Sequence, residues 1–103
     1  MDTTTRHLAR DEVVRLIRAQ EEKLKRDFGV RTISLFGSVA RDEAAPGSDV
    51  DVLVEFEKAT FAGYMGLKFF LEELLGTSVD VATPGSLRPR VRASVLREAL
   101  LVA

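Results

Sequence analysis

The chain has 103 residues, 46% of them hydrophobic, with a net charge of −1 and no cysteine. That length suits one small domain over 1–103, able to bury roughly 60–70% of its unfolded surface, and the apolar content excludes a disordered chain. The near-neutral charge offers no basic surface for nucleic acid, and the missing cysteines exclude a disulfide scaffold and a thiolate metal site.

Residues 9–28 predict one amphipathic helix: Ala9, Val13, Leu16, Ile17, Leu24 and Phe28 recur at helical spacing with charges between them, and Gly29 is placed to end it. The single histidine, His7, precedes this segment and reads as incidental. Residues 31–36, RTISLF, form a β-prone run bounded by Gly29 and Gly37. Gly37 and Ser38 then open a short helix to about Glu43, and 44–48, with Pro46 and Gly47, read as a turn. Residues 49–56, DVDVLVEF, are the clearest strand. Val50, Val52, Val54 and Phe56 share one face; Asp49, Asp51, Leu53 and Glu55 share the other.

A helix is expected over 61–75, closed by Gly76, and its apolar residues Tyr64, Leu67, Phe69, Phe70, Leu71 and Leu74 cover more than one face. Interrupted by Gly63, Gly66, Lys68, Glu72 and Glu73, it is no membrane span; with no signal peptide recognisable, a cytoplasmic location is the default. Residues 78–82, SVDVA, suit another strand, with Val79 and Val81 opposite Asp80. Ser86 can cap a last helix with apolar positions Leu87, Val91, Val95, Leu96, Ala99 and Leu100, and with Pro89 in its first turn. The order α-β-α-β-α-β-α gives a small sheet of three strands with helices packed on it, an α/β (α+β) class.

Charge is uneven. Residues 42–57 carry Asp42, Glu43, Asp49, Asp51, Glu55 and Glu57 and no base; residues 86–97 carry Arg88, Arg90, Arg92 and Arg97 and no acid. On charge alone these are two solvated faces. The same holds for Asp49-x-Asp51 by itself, since an edge strand with a polar face is ordinary. Two carboxylates on one strand face, roughly 6.5–7 Å apart along the backbone, are also what a divalent cation needs. Two further features favour that chemistry. Gly37-Ser38 follows a strand, where a bare backbone and free N–H groups suit a phosphate. Asp80 alternates with valines on a second strand and can face the side of Asp49 and Asp51. Together they describe a nucleotidyl-transfer site.

The stretch GSVARDEAAPGSDVDV, Gly-Ser, ten residues, then Asp-x-Asp, resembles the signature of the minimal nucleotidyltransferases (MNT) of the DNA polymerase beta superfamily. The similarity runs over nearly the whole chain, to the segment TPGSLRPRVRASVLREAL. It implies a small mixed β-sheet with helices packed on it. It implies that Gly37 and Ser38 hold the triphosphate of ATP and that Asp49, Asp51 and Asp80 bind two Mg²⁺ ions, Asp80 as metal ligand or base. Arg41 matches too, as a phosphate contact or the partner of an acid. Asp42 departs from the small residue expected there, which bears on the turn. At this length nothing is left for a separate acceptor domain, so the acceptor is expected on another chain or in a dimer cleft. Proteins that this chain resembles pair with a HEPN-domain ribonuclease toxin and adenylylate one of its tyrosines as antitoxins. The alternatives are a non-catalytic antitoxin that neutralises by binding, and transfer to a small molecule.

Overall fold

The computed structural model describes residues 9–43 and 49–103. The expected turn at 44–48 and His7 lie outside them. The chain enters as two helices, α1 (Arg10–Arg18) and α2 (Glu21–Phe28), in place of the single helix that periodicity predicts over 9–28. The Gln20 N–H bonds back to the Ile17 carbonyl at 2.9 Å, a tightened turn that redirects the chain. Neither Gly nor Pro stands there to announce it. Asp11 and Glu12 lie in the first turn of α1 and Arg15 and Arg18 in its last, matching the helix dipole at both ends.

β1 (Val30–Phe36), α3 (Gly37–Ala40), β2 (Val50–Phe56), α4 (Phe61–Leu75) and β3 (Val79–Ala82) follow. α3 is a single turn that stops at Ala40, short of the expected Glu43, because Asp42 takes a left-handed conformation at φ 59°. Aspartate tolerates that region, and the small residue expected at this position finds its reason there. Asp42 Oδ1 also accepts the N–H of Arg10 at 3.3 Å, tying this turn to the start of α1.

Ser86 does not cap the last helix. It closes a 3₁₀ turn over Pro84–Ser86, where its hydroxyl and Thr83 bond reciprocally. The last helix, α5, starts at Pro89 and ends at Glu98. Leu100, read as part of that helix, instead begins β4 (Leu100–Leu101), which pairs antiparallel with β1. Among the described residues the sheet has four strands in the order β3-β2-β1-β4, not the three expected. β1 and β2 are antiparallel and β2 and β3 parallel, so the sheet is mixed, as expected.

One sheet face carries Ile33, Leu35, Val50, Val52, Val54, Val79 and Val81, and packs on Val13 and Ile17 of α1, Leu24 of α2, and Leu67, Leu71 and Leu75 of α4. Gly66 lets α4 close on α2: a Cβ there would lie 3.1 Å from the Phe28 ring. The opposite face carries Asp51, Leu53 and Glu55 of β2, with Phe36, Ser34 and Thr32 beside them on β1. Of the last helix, only Val95 is buried.

Two α4 variants separate core from surface. Leu71→Ala removes a fully buried side chain and should cost about 2–5 kcal/mol in urea unfolding. Phe69→Ala, 59% exposed, should stay within about 0.5 kcal/mol of the parent.

Candidate active site

Asp51 sits at the centre of the open sheet face. Across the antiparallel pair it faces Phe36, and across the parallel pair it faces Asp80. The Asp51 and Asp80 carboxyls stand side by side within hydrogen-bonding reach, and Asp49 adds its charge from the start of the strand. Asp51 is partly buried; Asp49 and Asp80 are exposed. Burial pushes the Asp51 carboxyl above the usual 3.8. The negative charges of Asp80 and then Asp49, and the hydrogen bond to Asp80, push it the same way, while the Arg41 guanidinium pulls it back.

Gly37 makes room for this carboxyl. It follows β1 directly at φ 75°, and a Cβ built on it would overlap Asp51 Oδ2 and lie 3.3 Å from Asp51 Cγ. Both the conformation and the contact require glycine. Ser38 follows, half-buried, and its carbonyl accepts the Glu43 N–H at 2.8 Å. With only four residues, α3 contributes free N–H groups rather than the dipole of a long helix.

Arg41 is held by two acids. Its Nε meets Glu43 Oε1 at 2.9 Å and its Nη1 meets Glu98 Oε1, at the end of α5, at 3.1 Å. Of the two roles expected for Arg41, the structure displays the acid pairing. Glu98 was not singled out from sequence; a contact across 57 residues leaves no local signal.

α4 positions Asp80. β3 is a sheet edge, and side chains of α4 satisfy its outward backbone groups. Lys68 Nζ donates to the Val79 carbonyl at 2.7 Å, Glu72 Oε2 accepts the Val79 N–H at 3.1 Å, and Tyr64 Oη donates to the Val81 carbonyl at 2.9 Å. Lys68 also bonds Glu72 at 2.9 Å, and Glu72 is held below the usual carboxylate range by that bond and by the Val79 N–H. Asp80 lies between the two clamped valines. The Lys68–Glu72 spacing of four was a readable sign of a helical pair; its use on β3 was not.

Three carboxylates, one of them partly desolvated by its surroundings and crowded by like charge, form a hard-oxygen donor set that suits Mg²⁺. Among the described residues no three such side chains already converge on a single ion position; Asp51 and Asp80 are register partners on neighbouring strands.

The family model of the nucleotidyltransferase domain matches residues 17–102, a span that includes the Gly-Ser turn and the three aspartates. The chain belongs to the nucleotidyltransferase domain family. This nucleotidyltransferase is 40% identical over 96 residues to the protein adenylyltransferase MntA of Thermococcus cleftensis, covering 92% of this chain and 97% of that protein. A solved structure described as a minimal nucleotidyltransferase superposes with a TM-score of 0.77 at 41% identity, over 91% of this chain and 96% of that one. Chains of two toxin–antitoxin complexes share the fold at 22% identity. One complex holds AMP-PNP (TM-score 0.68, 84% of this chain and 72% of that one). The other is the tri-AMPylated HEPN toxin of Shewanella oneidensis with its MNT antitoxin (TM-score 0.62, 87% and 71%).

The raised Asp51 carboxyl has a signed consequence. The folded state holds its proton more tightly than the unfolded chain, so this group favours folding at low pH and loses that contribution as pH rises above 3.8 through its elevated value. Asp51→Asn should therefore raise the Tm at neutral pH without divalent ions, and the gain should shrink as pH falls toward 3.8; a Tm difference independent of pH would contradict the crowded site. Gly37→Ala should cost about 1–2 kcal/mol in urea unfolding from backbone conformation alone. Parental stability would contradict the Gly37–Asp51 contact.

Proposed function

We propose that this nucleotidyltransferase moves AMP from ATP to a tyrosine hydroxyl of a HEPN-domain toxin and acts as its antitoxin. The observation that carries the reading is Asp51: a carboxyl set against Gly37, in contact with Asp80 and within the field of Asp49. Identity of 40% to a protein adenylyltransferase, at nearly full mutual coverage, supports transfer to a protein. The fold shared with an AMP-PNP complex and with an AMPylated toxin complex supports ATP and a HEPN partner.

In this reading Asp49, Asp51 and Asp80 hold the Mg²⁺, which when bound neutralises charge on the reacting phosphates and lowers the pKa of the attacking hydroxyl. The backbone N–H groups and hydroxyl at Gly37-Ser38 hold the triphosphate. Arg41 reaches a phosphate by giving up one of its two glutamates. The tyrosine oxygen attacks the α-phosphorus, the bond to the bridging oxygen breaks, and pyrophosphate leaves. Asp80, exposed at the strand edge, takes the hydroxyl proton in the alternative in which Asp49 and Asp51 alone hold the metal. The chain's contribution is positioning and electrostatics, as in phosphoryl transfer generally.

The test is the intact mass of the HEPN-domain partner after incubation with this chain, ATP and Mg²⁺. One or more added AMP units on tyrosine are expected, falling to background with Asp49→Asn or Asp51→Asn. A partner that binds tightly and stays unmodified would replace this reading with neutralisation by binding alone.

A further inference from the structure

α5 is barely embedded. Val95 alone among its residues is buried, while Val91 is 47% and Leu96 53% exposed, and Leu101 just beyond is 61% exposed. Between this helix and the open sheet face runs a groove of about 280 Å³. Ser34, Leu53 and Leu101 line it on the sheet side, and Leu96, Ala99 and Pro84 on the other. Glu55 lies on its wall, engaged by the Thr32 hydroxyl at 3.0 Å. Leu53 follows Asp51 by one pleat, so the groove begins roughly 6.5–7 Å along β2 from the central carboxylate.

The charge along α5 and the segment leading into it is one-sided up to Arg97. Every ionised residue over 86–97 is an arginine: Arg88, Arg90, Arg92 and Arg97. Among the described residues none of them forms an ion pair with a carboxylate; Arg15 and Arg18 of α1 form none either, while Arg10, Arg26, Arg31 and Arg41 each have one. Arg92 Nε is buried with no acceptor among those residues. Arg88, Arg90 and Arg92 stand at the positive end of the helix dipole, where cations are disfavoured. Arg88, Arg92 and Leu96 are spaced four apart and so share one stripe of the helix. An apolar concavity walled by Leu96 of an arginine-rich helix is complementary to an apolar anchor accompanied by acids.

We propose that the groove between α5 and the sheet, with its arginine stripe, is the docking surface for the acceptor protein. The acceptor places an aromatic or aliphatic side chain against Leu96 and Leu101, above the largely buried Leu53, and sets carboxylates on the exposed Arg88 and Arg90. The proposal rests on the reading that the acceptor is a protein. It deepens that reading, because a segment seated here lies beside Asp51. A bilayer needs a convex apolar ridge, and this surface is concave. Nucleic acid needs a broad basic field, and the chain carries a net charge of −1 with exposed leucines among its arginines.

The test is calorimetric titration of the purified HEPN-domain partner into the full chain and two variants, Arg88→Glu/Arg90→Glu and Leu96→Asp, at low and high salt. All three positions are exposed, so both variants should fold. Each should weaken the complex at least roughly tenfold, the arginine variant should flatten its salt dependence, and AMP-PNP affinity with Mg²⁺ should stay parental. Parental partner binding in both variants overturns the proposal. So does an equal fall in AMP-PNP affinity, which would give the arginines to the polyphosphate. Loss of binding to a single-stranded RNA oligonucleotide in the arginine variant, with the protein complex intact, also overturns it. A partner that docks here yet never gains AMP removes the transfer reading and leaves the docking surface standing. A partner adenylylated at the parental rate by both variants does the reverse, and no complex with the parent chain removes both.

Discussion

A carboxylate set against a bare Cα governs the rest of this structure. Asp51 occupies its place only because Gly37 has no side chain. That contact ties the end of β1 to the start of β2 and obliges the chain to leave β1 in a left-handed conformation. The place is electrostatically poor, since Asp80 and Asp49 crowd a group already partly removed from water. Burial on the other side of the same strand provides the compensation. Val50, Val52 and Val54 are all at most 1% exposed. A slip of one residue would turn the aspartates into the core and the valines into water, so the apolar face fixes where the acids point.

β3 poses the harder problem. It has four residues and a single neighbour, yet it must keep Asp80 opposite Asp51 against their mutual repulsion. A lone short ladder is a weak restraint. α4 supplies the second one through Tyr64, Lys68 and Glu72, each bonded to the backbone of β3. α4 is in turn fixed by Leu67, Leu71 and Leu75, which have no exposed surface. The geometry of the acids is therefore inherited from the core through one helix. Those leucines of α4 are core, its Phe69 is exposed, and its polar residues hold β3.

What was legible in the sequence follows the range of the interactions involved. Period-two alternation put the valines inside and the aspartates outside, and Gly29, Gly37 and Gly76 marked real changes of direction. Facing of Asp80 and Asp51 was foreseen from alternation, and the parallel register bears it out. The break between α1 and α2 was not legible, because helical spacing continues across Ala19-Gln20 while one tightened hydrogen bond turns the chain. β4 was hidden for a different reason. Leu100 continues the apolar pattern of α5, and its strand conformation is imposed by β1 from 65 residues away, where Leu35 pairs with it. Val91 and Leu96 of α5 fitted a core helix by spacing and proved largely exposed, since periodicity reports which residues share a face but not whether anything covers it. Glu98 and the clamp on β3 likewise depend on contacts between distant segments.

Arg41 joins the two halves of this account. It lies just past the Gly-Ser turn, its charge reaches Asp51, and its guanidinium holds Glu98 at the end of α5. The pair is solvent-exposed, so it is a weak tether that a stronger anion can replace. In the proposed reading, a phosphate at Gly37-Ser38 would compete with Glu98 for the same guanidinium. On that reading Arg41 could not serve both fully, and by linkage the influence would run both ways between the nucleotide and the end of α5. Val91 and Leu96 of α5 face solvent, and the Arg41–Glu98 pair is the side-chain link that holds the end of this helix to the candidate site.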